Sequence, residues 1–402
     1  MPTIVFNQYN TIGFAILLLL LGKWLRKKVY VFEKFAIPSP VIGGFLFAII
    51  ALILRQTEVL AFEYNTTLQE LFMVMFFTTV GFNASFKVLK KGGTKVILFL
   101  VCAALLCICQ NAVAIGLAGP VGLEKGVAFM TGSTPMTGGH GTSAGIAPLI
   151  EESGVKGAEA VAVSAATFGL VAGSIMGGPL ATSLIKKKGL KSTDAGKDVK
   201  AASGDGDGGL KLDPDKLAMA FFVILIAIGL GVYLTDWINM GIAKLTNLVK
   251  MPIYIGPMIL GIVFRNAFEG TKNEMPMDEI ATLGDICLSI FLAMALMTLK
   301  LWDLAEVFGP MIVLLLAQAV LMFLFARFVT FNVMGRNYDA AVLAAGHCGF
   351  GMGATPNGVA NMESVCENYG YSETAFFVLP IVGGFFIDFV NIAIILGFLG
   401  FV

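Results

Sequence analysis

Apolar residues run along this chain in long blocks separated by short polar stretches. A helix crossing the roughly 30 Å hydrocarbon core of a bilayer needs about 20 such residues. On that measure ten spans are expected, at 8–27, 40–56, 68–86, 95–118, 159–185, 217–237, 252–269, 281–299, 308–333 and 373–399. Two further segments, 126–150 and 338–364, are apolar but crowded with Gly, Thr, Ser and Pro, too broken for ordinary spanning helices. The stretch 189–216 has no apolar periodicity and is rich in Gly, Asp and Lys, which reads as a flexible cytoplasmic linker.

The two sides of that linker resemble each other. IPSPVIGGFLF, at the start of the second span, pairs with MPIYIGPMILGIVF at the seventh, setting Pro38 against Pro252. FFTTVGFNASFKVL pairs with FLAMALMTLKLWDL, TGGHGTSAG with AAGHCGFGMG, and GLVAGSI with PIVGGFF, in the same order and at offsets of about 207 to 215 residues. Four ordered pairs indicate an internal repeat. Each half holds five spans, an odd number, so the second half would enter the membrane upside down. The expected architecture is an all-α polytopic membrane protein of ten transmembrane helices in two inverted five-helix repeats, residues 1–188 and 217–402. The broken segments 126–150 and 338–364 become one re-entrant hairpin per repeat. Inverted repeats with broken segments in matching places are the mark of secondary transporters.

Charge supports one orientation, the first half more strongly than the second. With both termini outside, the cytoplasmic connections collect 21 of the 27 Lys and Arg and the outer ones 6. The first apolar run is followed, not preceded, by basic residues, so it reads as a first span and not as a cleaved signal. Composition agrees with a bilayer as solvent: 57% hydrophobic residues, 47 glycines, and 13% charged residues against about 25% in soluble domains. That excludes a cytosolic enzyme, a disordered chain and a disulfide scaffold. The formal net charge of zero gives no pull toward nucleic acid, and the six cysteines show neither CxxC nor a zinc-like spacing with histidine.

The chemistry concentrates in the broken segments. Non-helical backbone at membrane depth survives only where protein or a wet cavity surrounds it. Its freed N–H groups favour an anion such as a substrate carboxylate, and its carbonyls, with side-chain oxygens, suit a hard cation such as Na+. The substrate-binding candidates are Ser133, Thr134, Gly139, His140, Gly141, Thr142 and Ser143 in the first segment, Gly349, Gly351, Thr355 and Asn357 in the second, and Asn83 near the third span. The Na+ candidates are Asp388, Asn391, Thr137, Gly346 and Ala354. Asp388 is an ionisable residue inside the tenth span, which makes it a functional candidate by default. Asn391 shares its helix face, and the pair reads equally as cation ligands or as hairpin anchors. His140 and His347, one per segment, fit a structural hydrogen bond or a proton relay. Lys300 reads as an interfacial lysine or as a partner for a substrate carboxylate. Near matches to G-x-G-x-x-G/A at Gly139 and Gly349 follow no strand, and no GxxxxGK[ST] occurs, so energy would come from an ion gradient rather than from a P-loop nucleotide site.

The strings FLAMALMTLKLWDLA (291–305), YDAAVLAAGHCGFGMGATPNGVANM (338–362) and GGFFIDFVN (383–391), with TGGHGTSAG and GRNYDAA, resemble the bacterial sodium/glutamate symporter family from about residue 10 to 400. The resemblance implies a homodimer of ten-span protomers in a bacterial inner membrane, both termini periplasmic, importing L-glutamate with Na+ as cotransported ion and no organic cofactor. By analogy with citrate/sodium carriers it implies an elevator motion of the hairpin-bearing part. A Na+- or H+-coupled carrier of another dicarboxylate would use the same fold. A channel would conduct without saturating, and an intramembrane enzyme would need a pair such as Ser143 with His140 to act as nucleophile and base.

Overall fold

The computed structural model describes residues 1–35, 37–91, 93–192, 212–243, 251–304 and 307–402. The expected linker therefore lies mostly outside the described residues. The protein is mostly helical, with main helices α1 (Gln8–Lys28), α2 (Ser39–Gln56), α3 (Thr67–Asn83), α4 (Gly93–Val121), α5 (Gly139–Glu152), α6 (Ala158–Lys188), α7 (Pro214–Ala243), α8 (Ile255–Phe268), α9 (Met277–Met297), α10 (Phe308–Phe325), α11 (Tyr338–Gly351), α12 (Thr355–Tyr369), α13 (Glu373–Ile381) and α14 (Ile387–Phe398). Among the described residues, eight helical stretches are long and apolar enough to cross a membrane. At the third and seventh expected spans stand α3, with 17 residues, and α8, with 14. At 1.5 Å per residue these reach only about 26 and 21 Å.

The helices are joined by one element the apolar pattern did not foretell. Thr3–Phe6 (β1) and Ala61–Tyr64 (β2) pair as parallel strands, Thr3 beside Ala61 and Phe6 beside Tyr64. Asn7 ends β1 sharply, because its side chain accepts from the Tyr9 and Asn10 amides and so starts α1. The rings of Phe6, Phe14, Phe47, Phe62 and Tyr64 pack around this pair, Phe6 on Tyr64 stacked and Phe47 edge-on to Phe14 and Phe62.

The chain forms two compact units, each drawn from both halves of the sequence. The first comprises residues 1–84, 144–160 and 212–308. Its helices cross at glycines. Gly22 of α1 and Gly43 of α2 back onto each other's helix, at Ser39 O and Leu18 O, with no room for a Cβ. Gly231 of α7 and Gly256 of α8 meet in the same way. The second pair of glycines follows the first by 209 and 213 residues, inside the offset window of the paired motifs.

The second unit comprises residues 85–143, 161–211 and 309–402. It holds the breaks of both polar segments. The first runs through short helices Lys125–Phe129 and Ser133–Met136 and turns at Gly139, whose φ of 63° is a left-handed conformation that suits glycine. The second breaks between α11 and α12, and its base is tied by a hydrogen bond from the Tyr338 hydroxyl to Gly370 O. Helix α6 carries Gly169, Gly173 and Gly177 at four-residue spacing, a small-residue face against which α11 lies. Asn361 Nδ2 donates to Gly173 O (2.9 Å) and to Ala345 O (3.2 Å), so the arms of the second segment are stitched to α6 and to each other. Two π turns, Ala326–Thr330 and Val382–Phe386, interrupt the helices that flank this segment.

The α6 face is directly testable. A Cβ on Gly173 would stand 2.7 Å from Cys348 O and 3.2 Å from Gly349 O, whereas one on Gly178 meets nothing within 4 Å. We expect Gly173→Ala to destabilise the detergent-solubilised protein by about 1–3 kcal/mol through backbone displacement. Gly178→Ala should be neutral or stabilising by up to about 1 kcal/mol, because Ala is the better helix former. Thermal unfolding of the two variants decides it.

Candidate functional site

Within the second unit, buried polar side chains gather where the two broken segments come together. Ser133 starts the helical turn Ser133–Met136, and both its backbone groups are taken. Its N–H donates to Asn111 Oδ1 (2.7 Å), and its carbonyl accepts from Asn391 Nδ2 (3.0 Å). Asn111 sits in α4 and Asn391 in α14, so three elements meet at one residue. Four residues on, Thr137 Oγ1 donates to Gln110 Oε1 (2.9 Å) and lies 3.3 Å from Gly351 O. Gly351 ends α11, and its carbonyl accepts from Gln110 Nε2 (2.7 Å). Gln318 of α10 closes the set by donating Nε2 to the Gln110 carbonyl (2.8 Å). Asp388 stands half-buried one turn before Asn391 on α14.

Five atoms of this cluster are buried and have no hydrogen-bond partner: Asn111 Nδ2, Ser133 Oγ, Thr134 Oγ1, Gln318 Oε1 and Asn391 Oδ1. Each such group costs about 1–3 kcal/mol. Chemically they offer one N–H donor and four oxygens, with Asp388 one helical turn before Asn391. Such a set suits a hard cation together with an anion's oxygen.

Other sequence-nominated residues face elsewhere. His140 Nε2 lies 3.0 Å from Thr167 Oγ1, and His347 Nδ1 lies 2.8 Å from Thr330 Oγ1; each ring is bound to a threonine on a neighbouring helix. Asn357 Nδ2 donates to Leu170 O (3.2 Å) and Ser174 Oγ (2.7 Å), both on α6. Ser143 Oγ donates to Ala162 O, also on α6 (3.4 Å). Thr355 opens α12 against Gly383 in the second π turn. Gly346 packs on Leu379 and Met362, and Gly349 on the backbone of Asn357 and Gly358. The Ala354 carbonyl accepts from the Asn357 and Gly358 amides of the helix it starts. A Cβ on Gly139 would stand 3.3 Å from Gly353 O, which brings the two breaks within contact. Gly141 and Thr142 sit in the first turns of α5, half-buried and buried respectively. Asn83 is the last residue of α3 and belongs to the first unit, as does Lys300, which is exposed.

Three buried amides, Gln110, Asn111 and Gln318, were not nominated from sequence. Their signal was present: polar side chains inside the apolar blocks CICQNAVA and LLLAQAVL. The rule that marks intramembrane ionisable groups as functional extends to amides, because burial without a partner is costly for them too.

The cluster separates anchors from unpartnered groups. Asn391→Leu removes the donor to Ser133 O, and we expect the ligand-free protein to lose about 1–3 kcal/mol. Ser133→Ala removes a buried hydroxyl that bonds nothing, so its ligand-free melting temperature should equal or exceed that of wild type. Equal losses in the two variants would refute this division.

Comparison with known proteins gives a consistent family. The family model described as sodium/glutamate symporter matches residues 4–371. A sodium/glutamate symporter of Haemophilus influenzae is 38% identical over 395 residues, covering 97% of this chain and 96% of the relative. The sodium/glutamate symporter of Escherichia coli is 39% identical over 391 residues, covering 96% and 95%. Among solved structures, a sodium proton antiporter from Methanocaldococcus jannaschii aligns over 97% of each chain at 15% identity with a TM-score of 0.39, a likeness too slight to bear on function.

Proposed function

The chain belongs to the sodium/glutamate symporter family, and from that premise we propose that it imports L-glutamate across a bacterial inner membrane by Na+ symport, with no organic cofactor. The observation that carries this is the cluster of unpartnered oxygens and one amide N–H where the two broken segments meet, with Asp388 one helical turn before Asn391. Ser133, Thr134 and Asn391 with Asp388 supply oxygens for Na+, and Asn111 with the backbone amides of the breaks supplies donors for a carboxylate. The ion neutralises the anionic substrate where the surroundings offer little screening.

Ten spans in two inverted repeats, each with a re-entrant hairpin at 126–150 and 338–364, are the architecture we assign, with both termini periplasmic. The matching glycine crossings of α1 with α2 and of α7 with α8 support the repeat. The 21-to-6 distribution of basic residues supports the orientation. Transport proceeds by alternating access of elevator type, the hairpin-bearing part being the body that moves, in a homodimer. A carrier of another dicarboxylate coupled to Na+ or H+ is the second reading, because the same polar set would accept any short dicarboxylate.

The energetics constrain the coupling. One charge moved through 100 mV is worth about 2.3 kcal/mol, and a tenfold concentration ratio adds about 1.4 kcal/mol. One Na+ thus supplies about 3.7 kcal/mol, of which a net anion moving inward against an inside-negative potential consumes about 2.3. The remaining ~1.4 kcal/mol supports only about tenfold accumulation, so we expect two or more Na+ per glutamate for steeper uptake. The test is radiolabelled L-glutamate uptake into proteoliposomes under an imposed inward gradient of Na+ or of H+ alone. Uptake that requires Na+, saturates, is competed by unlabelled glutamate and carries positive charge inward supports the proposal. Uptake driven by H+ alone, or preferential competition by another dicarboxylate, moves the assignment to the second reading. Electroneutral one-to-one flux would sink the stoichiometry.

A further inference from the structure

We propose that Gln110 is a positioning residue that holds the tips of the two broken segments in register, and that tight Na+ binding depends on it. This rests on the symport reading above. Gln110 is fully buried in the middle of α4. Its amide is used at both ends: Nε2 donates to Gly351 O at 2.7 Å, and Oε1 accepts from Thr137 Oγ1 at 2.9 Å. Thr137 immediately follows the turn Ser133–Met136, and Gly351 is the last residue of α11. One side chain therefore spans both tips: it holds the nominated residues Thr137 and Gly351, and its amide makes no bond to the side chains of Ser133, Thr134, Asp388 or Asn391 that the symport reading gives to Na+.

A second observation makes the position more than a local hydrogen bond. Gln318 lies 208 residues after Gln110 and donates to its backbone carbonyl. That separation falls inside the 207–215 offset of the paired motifs, so the two glutamines occupy equivalent places in the two halves of the chain. Their roles differ. Gln110 engages both tips, while Gln318 grips only its counterpart's backbone and leaves its buried Oε1 without a partner. Equivalent positions with unequal bonding identify Gln110 as the one whose geometry the tips share.

The consequence is specific. Ser133 is four residues before Thr137, and its carbonyl is held by Asn391. Without Gln110 the bond between Thr137 and Gly351 is the longer contact of Thr137 Oγ1 with Gly351 O (3.3 Å), which lets one tip slide against the other, and a misplacement of about 1 Å in a binding constellation can cost on the order of a hundredfold. The experiment uses the full chain in proteoliposomes, with Na+ titrated at saturating L-glutamate, comparing wild type with Gln110→Met, which keeps length without hydrogen bonding, and Gln110→Asn, which keeps the amide but falls short. Both should raise half-saturating Na+ at least tenfold, while the maximal rate per folded protein falls by a smaller factor. Gln318→Leu leaves both amide bonds of Gln110 to the tips in place and should raise it less than threefold. In parallel, hydrogen–deuterium exchange of the same variants without added substrate should show faster exchange at 131–142 and 346–356 in Gln110→Met. Unchanged half-saturation with a lower maximal rate, or faster exchange confined to α4, would overturn the proposal and leave Gln110 a packing residue. If wild type shows no Na+-driven uptake, the symport reading fails, and exchange at the two tips alone then decides whether Gln110 holds them.

Discussion

Where a helix stops short of water, its last carbonyl must find a donor in the protein. Gly351 ends α11 in the buried interior of the second unit, and its carbonyl is met by Gln110, with Thr137 beside it. A buried C=O left unpaired would cost about 1–3 kcal/mol, and the amide that α4 presents there is the shorter of the two bonds that meet it. The first segment has the same need, and it is answered by Asn111 and Asn391 at Ser133. Both breaks thus depend on polar side chains carried by unbroken helices, and the arrangement of α4, α10, α11 and α14 around them follows from where those amides sit. The glycine face of α6 is the complementary requirement, since carbonyls near the end of α11 can approach α6 only where no Cβ intervenes.

The apolar blocks made much of this legible. Eight of the ten expected spans carry helices long and apolar enough to cross a membrane among the described residues, because hydrocarbon imposes length and leaves few alternatives to a helix. The β1–β2 pair escaped notice for the opposite reason. Four-residue strands such as TIVF and AFEY carry too little pattern to separate from a loop, and their pairing depends on the aromatic packing around Phe6 and Phe62. The lengths of α3 and α8 were equally hidden, since an apolar run does not show where its helix ends.

The site was legible in outline and not in its bonding. Glycine, threonine and serine at 129–154 and 339–364 announced broken helices, but composition does not reveal which neighbour each side chain faces. His140, Ser143 and Asn357 look like site residues in the sequence, and in the fold they bond α6. Gln110 and Asn111 look like stray polar residues in an apolar run, and in the fold they hold both breaks. The difference is set by helix rotation, which the sequence of a uniformly apolar helix fixes weakly, because no amphipathic stripe states which side faces inward.

The division between bonded and unbonded polar atoms then bears on how such a cluster can act. A set of groups that fully satisfied one another would be stable and inert, since a ligand would have to break a bond for each one it made. A set with no internal bonds would collapse or hydrate. Here the backbone of Ser133 and the amide of Gln110 are satisfied, while Ser133 Oγ, Thr134 Oγ1 and Asn391 Oδ1 are not. The first group fixes geometry and the second retains capacity to bind. Because both belong to the same few residues, a shift in the anchors changes the spacing of the unbonded oxygens directly. The free energy of binding a small cation, whose ligand distances are confined to a few tenths of an ångström, therefore depends on hydrogen bonds that never touch it.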